Sequence, residues 1–333
     1  MIGRRGKLLI LVYVVFLTIL FLMCSTDLII REPEKDIYQI AVIIEDSRDD
    51  NYGNFRKGME QAAMELQADV HFITLYETMD ADQQMELIRR EQQDGADALI
   101  VVPADEDRVI SALAGGRLAV PVVLLGSGLT GEGTAGIVWT DYRMMGEKLA
   151  REMIEDTDEN CLVRIFEDPG KRSVMSRLFL EGAKAEFERS GRGFESIVWE
   201  GQGPGVANPF EASVVSEAGQ TAILAENPEI LTEAALALAR TADTPEAPPA
   251  AEGCIWGLYG RGDTLPILNY MDRGVIKGLC VTDQFSMGYL SVSTAVQVLE
   301  GGMGRKRIEL DSWYVERDDL RRPEYEKLLY PVE

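Results

Sequence analysis

Residues Gly278–Gly302 read GLCVTDQFSMGYLSVSTAVQVLEGG. Leu279–Thr282 is apolar and β-branched, the composition of a buried strand. Asp283, Gln284, Phe285 and Ser286 interrupt it. From Met287 the period changes, and Leu290, Ala295, Val298 and Leu299 fall near one helical face. Gly301-Gly302 then stops the helix, because glycine accepts the positive φ of a helix end. A buried strand feeding a helix through a polar Asp-Gln-Phe corner is a βα turn. What that corner faces is the functional question.

Working outward, the body alternates strand and helix. Apolar strands are expected at Ile40–Ile44, Val70–Leu75, Ala98–Val102 and Val120–Leu125. Helical periodicity runs over Phe55–Leu66, Ala81–Gln93 and Glu106–Leu118. A strand and polar turn at Ile137–Asp141 lead into a helix at Tyr142–Ile154. The order then begins again. Leu162–Phe166, Ser196–Trp199, Thr221–Ala225 and Ile255–Tyr259 read as strands, with helices at Val174–Arg189, Ile230–Arg240 and Leu265–Arg273. Gly201–Gly219 is Gly/Pro-rich with a short helical candidate at Phe210–Glu217, and Pro245–Glu252 (PEAPPAAE) is a surface linker. Continuous apolar strands in βαβα order imply parallel sheets covered on both faces. Two such runs imply two α/β lobes, and ligands in such sheets bind beyond the carboxyl ends of the strands.

Composition narrows the chemistry. The 333 residues carry 56 acidic and 33 basic side chains, a net charge of -23, which repels phosphate backbones and argues against nucleic acid. A single histidine, His71, excludes a two-histidine metal site and makes a Ser-His pair improbable. Set in an apolar strand, it reads as a half-buried, satisfied side chain. The cysteines Cys24, Cys161, Cys254 and Cys280 form no Cys-x-x-Cys pair. The last three lie in or beside strands, so buried packing is their default, and a Cys254–Cys280 disulfide is compatible with an extracellular location.

At the N-terminus, Arg4, Arg5 and Lys7 precede an apolar run, Leu8–Met23, broken by Thr18 alone. Its helical length is roughly 24 Å, that of a short anchor or a signal-peptide core. Cys24-Ser25-Thr26 is a poor cleavage site, and Leu22-Met23 a poor lipobox. A retained anchor over residues 1–26 is therefore expected, with 27–36 as a polar tether and the rest of the chain outside the membrane.

Several motifs carry competing readings. Gly126-Ser-Gly-Leu-Thr-Gly131 matches G-x-G-x-x-G, yet a strand rather than a helix follows, so no dinucleotide site is expected. Glu45-Asp46-Ser-Arg-Asp-Asp50 ends the first strand with four carboxylates. It reads as a site for a cation or amine ligand, or as a solvated acidic loop, and it lacks the spacing of a calcium loop. Tyr52, just after it, stacks on a ligand or packs on its own lobe. Arg177, near Ser173 and Ser176, offers a donor fork to ligand oxygens or pairs with Glu181 at i+4. Arg261-Gly262-Asp263 spells an adhesion tripeptide, a match short enough to arise by chance. No nucleophile elbow, metal-ligand cluster or phosphate loop is present, so neither a cofactor nor a metal is expected.

In the order of its elements and in two motifs, the chain resembles type I periplasmic binding proteins of the ribose/galactose kind, over nearly all of Ile37–Val315. The most specific segment is Val281–Gly301, similar to the family's V-x-Q-[ND]-P-Y-x-x-G-Y-x-A-V. A second is Trp139-Thr-Asp-Tyr-Arg-Met-Met-Gly146. The resemblance implies a hinge of three crossings, with Asp141 and Gln284 in it and the third near Ile308–Tyr314. Lobe one is then 37–140 plus 284–310, and lobe two is 141–283 plus 311–333. It implies ligand contacts from Tyr52, Arg177, Asn227, Thr282 and Asp283, with Ser127 and Tyr259 at the other cleft positions; Asp46 joins them as the candidate from the acidic run. Ser127, Pro228 and Tyr259 stand where sugar binders carry charged acceptors, which argues against a simple pentose or hexose. The related repressors add a helix-turn-helix that this acidic, apolar-headed chain does not match. The implied function is a membrane-anchored extracytoplasmic receptor that closes on a small, sugar-like ligand and delivers it to an ABC transporter permease. The alternative is a receptor that presents its ligand state to a membrane sensor histidine kinase. A hydrolase using Asp283 is the third reading.

Overall fold

The computed structural model describes residues 4–25, 37–126, 133–199, 210, 221–242, 255–302 and 306–331. The chain divides into two units, Met1–Ile37 and Tyr38–Glu333. The first contains helix α1 (Arg4–Ser25), whose side chains are exposed over Leu8–Phe21. Among the described residues, no helix is long and apolar enough to cross a membrane.

The second unit is built on two six-stranded sheets. In sheet one, β1 (Tyr38–Ile43), β2 (Ala68–Ile73), β3 (Ala98–Val101), β4 (Val122–Gly126), β5 (Gly136–Thr140) and β11 (Lys306–Leu310) lie in the order β11-β5-β4-β3-β1-β2, all parallel. In sheet two, β6 (Leu162–Glu167), β7 (Phe194–Val198), β8 (Thr221–Ala225), β9 (Ile255–Arg261), β10 (Ile276–Thr282) and β12 (Ser312–Glu316) lie in the order β12-β10-β9-β8-β6-β7, with β12 alone antiparallel. The first five strands of each sheet thus share one order, that of a doubly wound fold. The central strands β3, β4 and β8 are buried at every residue, which is why their sequences are unbroken apolar runs.

Helices cover both faces of each sheet. On sheet one they are α2 (Gly53–Leu66), α3 (Ala81–Asp94), α4 (Glu106–Ala114) and α9 (Gln284–Leu299). On sheet two they are α5 (Tyr142–Asp156), α6 (Val174–Ser190), α7 (Pro228–Ala242), α8 (Leu265–Asp272) and α10 (Pro323–Leu329). The chain passes from one sheet to the other at Asp141, Asp283 and Asp311. The first two passages share a sequence, Thr140-Asp141-x-x-x-Met145-Gly146 and Thr282-Asp283-x-x-x-Met287-Gly288. In each, the aspartate caps the helix that follows: Asp141 Oδ1 accepts from Met144 N at 2.9 Å, and Asp283 Oδ1 from Ser286 N at 2.8 Å. In each, the glycine lets that helix touch a neighbour's backbone. A Cβ on Gly146 would lie 1.9 Å from the Phe179 carbonyl oxygen, and one on Gly288 would lie 2.0 Å from that of Phe55.

Two expectations change. His71 is exposed beside Asp69, because β2 is the edge strand and its alternate residues face solvent. Strand β9 ends at Arg261 rather than Tyr259. Cys161 and Cys280 are free and buried. The helical candidate Phe210–Glu217 lies outside the described residues except for Phe210, as do the Pro245–Glu252 linker and Cys254.

Candidate functional site

The carboxyl ends of both sheets open onto one cavity of about 110 Å³. That is well under the roughly 300–1,000 Å³ of typical small-molecule pockets, as befits a cleft whose walls already touch. Asn54 Nδ2, on α2, donates to Asp263 Oδ2, beyond β9, at 2.9 Å. Arg48 pairs with Glu229 across the rim at 3.2 Å.

The wall from sheet one begins where β1 runs out. The strand is buried through Ile44, and Glu45 continues that path inward, leaving its side chain 6% exposed. Tyr52 donates its phenol proton to Glu45 Oε2 at 2.7 Å, and its ring packs on Phe55 and Phe72 with centroids 5.8 Å away. Burial drives the Glu45 carboxyl up to about 7, against the smaller opposing pull of the Tyr52 hydrogen bond. Asp46 has a different task. Its Oδ1 accepts from Ser47 N at 2.7 Å and Thr78 Oγ1 at 2.8 Å, which ties the loop after β1 to the loop after β2. Met79, on that second loop, takes φ +68° and lines the cavity.

The wall from sheet two is set by the ends of β6, β8, β9 and β10. Arg261 Nη2 donates to Ser176 Oγ at 2.8 Å and Nε to the Glu226 carbonyl at 3.2 Å. Its guanidinium lies over the rings of Tyr142 and Phe179, 5.5 and 5.8 Å from their centroids. The Glu226 carboxylate, fully buried, turns the other way to meet Arg172 Nε at 3.0 Å and Asp168 N at 2.9 Å. Gly262 at φ +125° turns the chain so that Asp263 enters the cleft. Burial raises the Asp263 carboxyl to about 6, and the Asn54 amide opposes that rise. Asn227 lines the cavity while its Oδ1 caps α7 through Ile230 N at 2.9 Å. Near the seam, Glu106 is buried with Oε1 unpartnered, and desolvation lifts it to about 7 while Arg177 pulls it down.

Of the residues expected from sequence, Asp46, Tyr52, Asn227, Thr282 and Gln284 reach the cavity. Thr282 is buried and accepts from Gln284 Nε2 at 3.3 Å. Ser127 lies outside the described residues, as does most of the Gly126–Gly131 motif. Three expectations are corrected. Arg177 is exposed on α6 and pairs with Glu181 at 2.9 Å, its i+4 neighbour, instead of reaching the cavity. Tyr259 is buried within sheet two, its hydroxyl donating to Asp156 at 3.3 Å, because β9 runs two residues further than its apolar core suggests. Asp283 spends both oxygens on Ser286, through the backbone N–H at 2.8 Å and the hydroxyl at 2.5 Å, and does not line the cavity. Glu45, Arg261 and Asp263 also line the cavity: the sequence reading weighs Glu45 only within an acidic run, and sets Arg261 and Asp263 aside as a chance tripeptide. The available signal was a charged pair flanking a glycine directly after a strand. Asp263, two residues beyond the end of β9, lines the cavity.

A periplasmic binding protein domain matches residues 40–303. No curated protein matches the chain. Among solved structures, the chain is similar to a carbohydrate transporter solute-binding protein from Agrobacterium radiobacter in complex with D-arabinose. The TM-score is 0.73 at 18% identity, over 89% of this chain and 99% of that one. It is also similar to an ABC transporter solute-binding protein from Agrobacterium vitis bound with α-D-tagatopyranose, with TM-score 0.72, 16% identity, and 89% and 100% of the two chains covered. A third, from Actinobacillus succinogenes with bound D-allose, gives TM-score 0.70 at 16% identity over 84% and 98%. At these identities the likeness is one of fold.

Proposed function

The chain belongs to the periplasmic binding protein domain family, and on that premise we propose that it is an extracytoplasmic receptor that closes on one small, polyhydroxylated ligand. Members of that family bind solutes and are not enzymes. The observation that carries the reading is the pairing of walls. Acceptors on one sheet's edge (Glu45) face donors on the other's (Arg261, Asn227), which is the mixed donor–acceptor lining that sugar hydroxyls require. The similar structures named above are bound with sugars.

In this reading lobe one is 37–140 plus 284–310, and lobe two is 141–283 plus 311–333. Asp141, Gln284 and Asp311 lie at the passages about which the lobes swing. The apolar run Leu8–Met23, with Arg4, Arg5 and Lys7 before it, supports retention at the membrane through residues 1–26, with 27–36 as tether. A tethered receptor serves an ABC transporter permease, to which it hands its ligand. Because a tethered receptor need not diffuse, the same run also supports the second reading, a receptor partnered with a membrane sensor kinase.

The test is calorimetric titration with pentoses, hexoses and polyols. Binding of at least one is the expected outcome, and Arg261→Ala then weakens it by about 1.5–3 kcal/mol, the worth of a charge-assisted hydrogen bond. Folded protein that binds none of them would overturn the reading.

A further inference from the structure

Resting on the receptor reading above, we propose that the ligand carries a cationic nitrogen beside its hydroxyls, as an amino sugar or amino polyol does, with the Glu45 carboxylate as its counter-ion. Glu45 lines the cavity with nine-tenths of its surface buried. Among the described residues, its one side-chain hydrogen bond comes from Tyr52, on Oε2, and no lysine, arginine or histidine nitrogen lies within 4.0 Å of it. A buried carboxylate without a cation is costly, and such groups are ordinarily paired or kept protonated.

The candidate partner across the cleft is Arg261. Its Nε and Nη2 are held by the Glu226 carbonyl and Ser176 Oγ, and its face is covered by two rings. Its pull on Glu45 is the smallest of the influences there, and burial still raises the carboxyl to about 7. The second acid in the cavity, Asp263, has an amide donor in Asn54 and no cation within reach among the described residues. By contrast, Asp46 is satisfied by its own loop and Glu229 by Arg48. Among the described residues, then, these two buried carboxyl groups have no cation within ion-pair distance, although Lys171 and Arg261 also line the cavity. An ammonium donates up to three hydrogen bonds and supplies the missing charge, whereas a neutral hydroxyl supplies one donor and no charge. The sugars named for the similar structures are neutral. The acidic segment after β1 is therefore, at Glu45, not a solvated loop but the charged floor of the site.

The experiment uses the full chain in detergent micelles at neutral pH and compares matched pairs by calorimetry: D-glucose with D-glucosamine, D-galactose with D-galactosamine, and sorbitol with D-glucamine. The expected result is that at least one amine binds about tenfold or more tighter than its neutral partner. Glu45→Gln, an isosteric change that keeps an acceptor for Tyr52, should abolish that preference, so that the amine binds no tighter than its neutral partner. If neutral members bind as tightly as their amines in every pair, the inference is overturned and the receptor reading survives. Folded protein that binds no member of any pair overturns both. The wild-type comparison decides the question even if the variant fails to fold.

Discussion

Glu45 and Arg172 both sit at strand ends or beside them, yet they answer burial differently. Arg172 lies between two carboxylates, Glu167 and Glu226, at 2.6 and 3.0 Å, and Lys184 reaches Glu167 at 3.1 Å, so two cations meet two carboxylates there. Glu45 has a phenol instead. Its pKa in the fold is about 7 against an ordinary 4.5, so the folded protein binds its proton more tightly than the unfolded chain. The stability this group contributes is fully present below pH 4.5 and is lost as pH rises through about 7. The difference is on the order of 3 kcal/mol across that window. Thermal unfolding of wild type and Glu45→Gln should show it: the wild type loses stability relative to the variant as pH rises from about 5 to about 8. Parallel curves would mean that Glu45 ionises as freely in the fold as outside it. Tyr52→Phe removes the hydrogen bond that favours the charged form, so it should deepen the wild-type slope.

Helix pairs set the next scale. Gly58 on α2 meets the Phe285 carbonyl oxygen, with a Cβ position 1.9 Å from it, and Gly288 on α9 meets that of Phe55 at 2.0 Å. On sheet two, Gly146 and Gly182 do the same for α5 and α6, where a Cβ on Gly182 would lie 2.0 Å from the Arg143 carbonyl oxygen. In each lobe, then, the first helix and the helix entering after a passage lie backbone against backbone. The obstacle is main chain in every case, so it cannot move aside as a side-chain tip does. Gly58→Ala should cost at least about 1–3 kcal/mol. Gly53→Ala, in the same helix with open space around it, should be neutral or stabilise by about 0.4–1 kcal/mol. Chemical denaturation of the two variants measures the contrast, and equal midpoints would show that the helices separate without penalty. The repeated Thr-Asp-x-x-x-Met-Gly was readable in the sequence as two motifs, but not as a repeat. Its meaning lies in pairing with glycines on distant helices, 230 residues away for Gly58 and Gly288 (288 − 58) and 36 for Gly146 and Gly182 (182 − 146).

For the whole molecule, the seam between the sheets decides the state. Asn54 donates to Asp263 Oδ2 and to the Leu329 carbonyl, and Lys57 reaches the Pro331 carbonyl at 3.1 Å. The C-terminal segment, seated on sheet two through Leu329, therefore straps α2 of sheet one. Asn54→Ala leaves Asp263 without its amide and removes one strap contact, which should disfavour the closed arrangement by about 1–3 kcal/mol. Small-angle scattering of the variant should give a larger radius of gyration than wild type, and ligand should restore the smaller one. An unchanged radius would mean that closure rests on other contacts. Arg48–Glu229 is solvent-exposed on both sides, and its removal should matter little. Flotation with lipid vesicles tests the tether: the full chain should rise with the lipid, and a chain beginning at Tyr38 should not.

What the sequence alone determined is the layering. Unbroken apolar strands alternating with amphipathic helices leave a parallel sheet as the arrangement that buries them, and two successive runs require two sheets. It also determined the βα turns at Asp141 and Asp283, since a strand and a helical stripe can be read locally on either side; that the chain changes sheets there was implied by the family resemblance alone. The site lay largely beyond that reach. Whether Glu45 or Asp46 turns inward depends on which side of the last strand residue each one falls. That Tyr259 is core and Asp263 is cleft depends on β9 running to Arg261, a length fixed by its pairing with β8 and β10. Asn54 and Asp263 meet across 209 residues of chain, and no local pattern announces such a contact. Local chemistry sets periodicity and capping; burial, which sets charge, belongs to the assembled fold.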